Sequence, residues 1–178
     1  MRQVAVFHEK IEDYARGAIR VEPAQIQSFT LNQIPVTTGL LDTVDTAFDP
    51  SLPQNADKVL VRKKAFSCNY RDKALALKAK YRIDNFAAEN QARFFTLGSE
   101  FVGEVVAVGR GVDQFALGDR VIGNGNYPYS GYEGVSPGLP TNHGSKELEV
   151  FHFSKLIRVP ESMPLEVAGG VPGGGAGG

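Results

Sequence analysis

The sequence predicts a mainly β domain with few helices, rolled into a partly open barrel. Three observations predict it. Apolar residues fall in short runs, several of them alternating with period two, the signature of half-buried strands. Glycine is abundant, at 20 of 178 residues, and repeatedly stands where one apolar run ends and the next begins. Only one stretch has the composition of a sustained helix. Many short strands separated by glycine-marked turns argue for a roll or barrel with little helix.

The elements follow in order. "RQVAVFH", from Arg2, alternates and reads as a first strand. Residues 22–56 mix short apolar patches with proline and aspartate, and read as an irregular region with one or two short strands. In "DKVLVRKKAFS", Val59, Val61, Lys63 and Ala65 share one face, and Leu60, Arg62, Lys64 and Phe66 the other. That pattern is a strand with one partly wet face. "YRDKALALKAKY", residues 70–81, is the helix, an unbroken run of strong helix formers. Asn69 or Asp72 is placed to satisfy its first free N–H groups.

Phe101 to Val108 is β-rich and interrupted by Gly103, which marks a bulge or a close backbone approach. Gly109 and Gly111 bracket a turn, "LGD" at 117–119 makes another, and "RVIG" starts the return strand. Two strands with a short glycine-rich connection form a hairpin-like unit. Asp119 sits in the turn, where a carboxylate caps free backbone N–H groups. The long stretch "NGNYPYSGYEGVSPGLPTNHG" is a loop, and loops of this length in compact domains are commonly functional. "SKELEVFHFSKLIRVP" returns to strand until Pro160 stops it. Residues 169–178 are too rich in glycine to bury a core and read as a flexible tail or linker, leaving 1–168 as one domain.

Composition excludes several classes of function. The chain is long enough for one domain with a real core. Nineteen basic and 20 acidic residues leave a net charge of -1, so no electrostatic footprint for nucleic acid or an anionic membrane is expected. A single cysteine, Cys68, excludes an intrachain disulfide and a closed all-cysteine zinc site. No run of roughly 18 apolar residues predicts a membrane span, and "MRQVAVFHEK" lacks the apolar core of a signal peptide. A cytoplasmic setting is expected.

"GSEFVGEVVAVGRGVDQFALGDRVIG" carries an ordered pattern: Gly98, Glu100, Gly103, Val105, Val108 and Gly109, then Val112, Phe115, Gly118, Asp119, Arg120 and Val121. In these residues the chain resembles the medium-chain dehydrogenase/reductase superfamily. The flanking segments extend the likeness over about residues 57–168. The resemblance implies the GroES-like catalytic domain, a distorted barrel. It also implies a Rossmann domain that this chain lacks. "GGGAGG" at 173–178 meets the G-x-G-x-x-G spacing trivially, with no apolar strand before it, and reads as linker. The dinucleotide-binding domain is thus expected either to be supplied elsewhere or to have been deleted.

Zinc-using members resemble one another by a cysteine three residues before an aspartate and by a histidine in a Gly-His-Glu triplet. Aligned on Asp72, the cysteine position falls on Asn69 and the histidine position on Ser99. An amide and a hydroxyl are poor zinc ligands. Cys68 is one residue early, which in an extended chain turns it to the other face, and it reads as a small buried side chain. His143 and His152 each stand alone. No metal is expected. "CNYRD" instead resembles the zinc-free quinone oxidoreductases and enoyl reductases. That likeness implies NADPH for the complete protein, none bound tightly by this chain, and a small apolar carbonyl-conjugated substrate. Tyr81 and Tyr70 are the candidate catalytic residues, Tyr81 as proton donor and Tyr70 lining the cleft; each has a packing role as its alternative. Asn69, Ser99, Tyr127 and Tyr129 are candidate substrate or cofactor contacts, with a helix cap as the alternative for Asn69. A binding or scaffold module without redox function, and a zinc alcohol dehydrogenase fragment, are the other readings.

Overall fold

The protein was analysed as a computed structural model that describes residues 1–7, 19–21, 25–90, 94–124, 135 and 138–170. Ten strands and two helices follow in chain order. They are β1 (Arg2–Phe7), β2 (Arg20–Val21), β3 (Gln27–Leu31), β4 (Ile34–Asp42), β5 (Lys58–Ser67), α1 (Tyr70–Asn90), β6 (Phe94–Thr96), β7 (Glu100–Val108), β8 (Arg120–Gly123), β9 (Leu148–His152), β10 (Leu156–Arg158) and α2 (Leu165–Ala168). The fold is mainly β, as expected. It is built as two open five-stranded sheets among the described residues. One has the order β2-β4-β1-β6 with β3 also on β4; the other has the order β10-β8-β7-β5-β9. Every strand pair is antiparallel.

The second sheet holds the larger core. The alternation in β5 works as expected, burying Val59, Val61 and also Lys63 on one face. Those valines pack with Phe101, Val105, Val121 and Phe151, and the Phe101 and Phe151 rings stack with centroids 5.1 Å apart. Each such side chain, fully buried, contributes about 1.5–3 kcal/mol. The close approach read at Gly103 is real, since a Cβ there would collide with Val61 Cγ1, and Gly109, in the turn, is packed as tightly against the backbone at Asn55. β7 and β8 pair as the hairpin-like unit, and Asp119 Oδ2 accepts from Ala116 N at 2.8 Å in the turn between them.

α1 covers the first sheet. Ala76 and Ile83, seven residues apart and so on one stripe, pack on Val6 and Val36. The helix expected over 70–81 runs on to Asn90, because Ile83 continues that stripe. α2 closes a third cluster, with Ala168 against Val102, Ile122 and Val159.

The stretch 22–56 is more regular than its composition suggests. It holds a hairpin, β3–β4, whose second strand is nine residues long and sits inside the first sheet. Its turn, Asn32 and Gln33, has both residues at positive φ (48° and 65°), as a two-residue hairpin requires. Glutamine in place of the usual glycine, together with Pro35 and Gly39 inside β4, hides the strand from inspection of the sequence. No helix among the described residues is long and apolar enough to cross a membrane.

Candidate functional site

The motif positions converge where β5 ends, α1 begins and β7 begins. Asn69 is the helix cap. Its Oδ1 accepts from Arg71 N at 2.9 Å, and Asp72 Oδ2 accepts from Asn69 N at 2.9 Å, a reciprocal arrangement that satisfies two free donors at once. Asp72 is buried and also accepts from Gly98 N (3.1 Å) and Ser99 Oγ (3.3 Å). This carboxylate therefore ties the helix start to the turn before β7. The turn itself needs glycine: Gly98 has φ +100°, and a Cβ there would lie 3.0 Å from both Gly144 Cα and Phe66 Cδ2.

Asn69 Nδ2 donates to Ser99 Oγ at 3.2 Å and to Glu100 Oε1 at 3.1 Å. Ser67 faces Glu100 across the β5–β7 ladder, and its Oγ lies 2.6 Å from Glu100 Oε2 and 3.1 Å from Gly169 O. Asn69 and Ser99, 30 positions apart in the sequence, are thus brought together by one hydrogen bond. Ser99 and Glu100 are buried; Asn69 is exposed as a residue, and its amide is engaged at both ends, through Nδ2 with Ser99 and Glu100 and through Oδ1 with Arg71 N. Ser67 escaped the sequence reading, and only the β5–β7 register reveals it.

The two tyrosines stand apart from each other. Tyr70 is 86% exposed beside the cluster, with Lys73 Nζ 6.0 Å from its ring centroid. Tyr81 is 61% exposed and lies eleven residues further along α1, roughly 16 Å of axial rise away. Tyr127 and Tyr129, and the glycine run 173–178, lie outside the described residues. Cys68 is exposed, not the buried side chain expected; it lies just past the end of β5, where the alternation of strand faces no longer applies. Partial desolvation, and then the Asp72 carboxylate, hold its thiol above the usual range. The thiol is therefore a poor nucleophile at neutral pH.

Two prosthetic groups can be tested against these residues. A zinc ion would need three charged or imidazole donors. The amide and hydroxyl at the family's ligand positions are neutral and bonded to each other. No three His, Cys, Asp or Glu side chains among the described residues are placed to share a metal. The residues do not fit zinc. A dinucleotide would need a parallel strand–glycine loop–helix unit, and no described strand pair is parallel. Among the described residues, exposed Asn69 and Tyr70 mark the surface where a cofactor held by another domain could meet this cluster.

The architecture and the motif together define a class. The alcohol dehydrogenase GroES-like domain model matches residues 55–171, and the chain belongs to that family, within the medium-chain dehydrogenase/reductase superfamily. A reducing polyketide synthase of Gibberella fujikuroi is 34% identical over 87 residues, 48% of this chain and 3% of that protein. Among solved structures, a quinone oxidoreductase of Pseudomonas syringae pv. Tomato DC3000 is 29% identical, covering 72% of this chain and 32% of that one, with a TM-score of 0.45. The galactitol-1-phosphate dehydrogenase of Escherichia coli is 18% identical over 95% of this chain and 41% of that one, with a TM-score of 0.54. The chain thus spans a small part of the curated relative and well under half of either solved neighbour.

Proposed function

We propose that the chain is the substrate-side portion of an NADPH-dependent, zinc-independent reductase of activated C=C bonds in an enone, quinone or enoyl thioester. One observation carries the reading: the amide of Asn69 and the hydroxyl of Ser99 occupy the family's metal-ligand positions and satisfy each other and two carboxylates. Likeness to a reducing polyketide synthase supports the reductive chemistry. Reduction of a conjugated C=C needs no Lewis acid when hydride reaches the β-carbon and a proton the α-carbon. NADPH supplies the hydride when bound by its own domain, which lies in another segment or another chain. Residues 1–168 form the catalytic-side domain and 169–178 a linker to the rest.

In this scheme Asn69 contacts the substrate carbonyl or the cofactor by exchanging one of the two Nδ2–H bonds that it gives to Ser99 Oγ and Glu100 Oε1, while Arg71 N holds its Oδ1. Of the two tyrosines, Tyr70 adjoins Asn69 in the chain and is the better placed proton donor; Tyr81 serves only a substrate that reaches three turns along α1. The chain alone does not turn over, and it acts in the cytoplasm.

The test combines binding and metal content. Amide and side-chain NMR signals of Asn69, Tyr70 and Ser99 should shift on titration with an enone or a crotonyl thioester, and elemental analysis should find no stoichiometric zinc. Shifts confined to other surfaces would sink the substrate-side assignment. Zinc held through Cys68 would restore the alcohol dehydrogenase reading. Steady NADPH oxidation by the isolated chain would remove the need for a second domain.

A further inference from the structure

Residues 141–147 run along the seam between the two sheets. Lys146 bridges to Gln3 of β1. Glu147 N donates to Arg2 O at 2.8 Å, and Glu147 O accepts from Lys63 N of β5 at 2.7 Å. Ser145 Oγ donates to Val4 O (2.7 Å), and Ser145 N to Leu97 O (2.8 Å). Gly144 N donates to Gly98 O at 2.6 Å. The segment therefore joins the sheets and also pins the turn that leads into Ser99 and Glu100.

One basic side chain, Lys63 of β5, lies against this segment and another, His143, belongs to it; the proposed reaction uses neither. The Lys63 side chain is 3% exposed; its Nζ donates to His143 O and pairs with Glu149 of β9. The ammonium lies 5.0 Å and 5.4 Å from the centroids of Phe101 and Phe151. The His143 ring meets Thr96 Oγ1 of β6 through Nδ1 and tilts against Phe95. Thr141 Oγ1 donates to Glu149 and accepts from His143 N. Among the described residues, the charged groups facing Lys63 are Glu149 and Lys146, and those facing His143 are Glu149, Lys63 and Lys146.

We propose that residues 141–147 form an acid-loosened strap: seated, they cover Lys63 and His143, and proton uptake favours a lifted state in which both bases reach water.

Burial is the largest influence on both groups, ahead of the attraction of Glu149. It lowers Lys63 from 10.5 to about 8, and it lowers His143 from 6.5. Lifting the strap returns each group toward its ordinary value, so the lifted state binds more protons and acid favours it. For Lys63 the window runs from about 8 to 10.5, and across it the seated strap gains as pH rises. His143 acts in the same direction at lower pH. Lifting releases Gly98 O and Leu97 O, and the turn before Ser99 loosens with them. The strap itself is independent of the reaction proposed above; only its influence on substrate access rests on that reading.

Amide hydrogen exchange on the full chain tests the strap, under conditions where observed rates follow intrinsic rates. The opening constant at Gly144, Ser145 and Glu147 should be about tenfold larger at about pH 7 than at about pH 9. Amides of the β3–β4 hairpin, whose local opening leaves Lys63 covered, should change less than about twofold. Lys63→Arg should flatten the strap's dependence over this range, because arginine stays charged throughout. His143→Gln should remove the further opening at lower pH. A strap with no pH dependence overturns the proposal, as does a folded Lys63→Arg variant that keeps the tenfold change. Strap amides as protected as the slowest core amides also overturn it, since the strap would then open only with the whole fold. The wild-type contrast between strap and hairpin decides the matter even where a variant does not fold.

Discussion

Asp72 does two jobs with one carboxylate: it caps α1 through Asn69 N and anchors the turn before β7 through Gly98 N and Ser99 Oγ. Asp72→Ala would leave the buried Gly98 N–H without its acceptor, take away the acceptor of the Ser99 hydroxyl proton and remove half of the cap. A loss of about 2–4 kcal/mol is expected, read as a lower urea midpoint at unchanged slope. Tyr70→Phe, at a ring 86% exposed, should stay within about 0.5 kcal/mol of wild type in the same assay. Any effect of that change on reduction by the complete enzyme is then chemical. Lys63 sets the sign of a pH effect. Its folded value of about 8 lies below its ordinary 10.5, so the cost of burying its charge is fully present below 8 and is lost as pH rises toward 10.5. Denaturation of wild type and Lys63→Met over that range should show wild type gaining on the variant by up to about 3 kcal/mol. A flat difference would mean that Lys63 keeps its ordinary affinity for protons in the fold. The cap at Asn69 and Asp72 was legible because both lie in one local motif. The partners Ser67–Glu100 and Lys63–Glu149 were not, since 33 and 86 residues separate them and only strand register joins them. Cys68 was misread because a rule for faces of a strand was applied one residue past the end of β5.

At the scale of elements, legibility followed periodicity. β5 alternates and β7 is rich in β-formers, and both were found; the hairpin β3–β4 was foreseen only as one or two short strands in an irregular region, because its turn chemistry is unusual and β3 is almost wholly exposed. An exposed edge strand carries no apolar alternation, so nothing in its composition sets it apart from a loop. The unusual turn also offers a stability test. Gln33 holds φ at 65°, where a Cβ is disfavoured and glycine is not. Gln33→Gly should raise stability by about 0.5–1 kcal/mol, the relief of that strain less the extra freedom of the unfolded chain. Thermal melts measure it directly, and a lower Tm would show that the Gln33 side chain contributes more than its backbone costs.

At the scale of the whole molecule, the hydrophobic clusters of the two sheets are separate: Val6, Val36, Ala76 and Ile83 under α1, and Val59, Val61, Phe101 and their neighbours in the second sheet. What crosses between them is largely polar and backbone-directed, and Ser145 stands at its centre. This buried hydroxyl donates to Val4 O of β1 and accepts from Leu97 N. Ser145→Ala removes both bonds while leaving each apolar cluster intact. A cost of about 1–3 kcal/mol is expected from the two groups left unpaired. The distribution of that cost is the more telling quantity. Because only the seam is weakened, amides of β1 and β4 should exchange faster relative to those of β5 and β7 than they do in wild type, the first sheet opening as its own unit. Equal acceleration in both sheets would show one cooperative fold, in which the candidate site at the end of the second sheet cannot loosen without the whole chain unfolding.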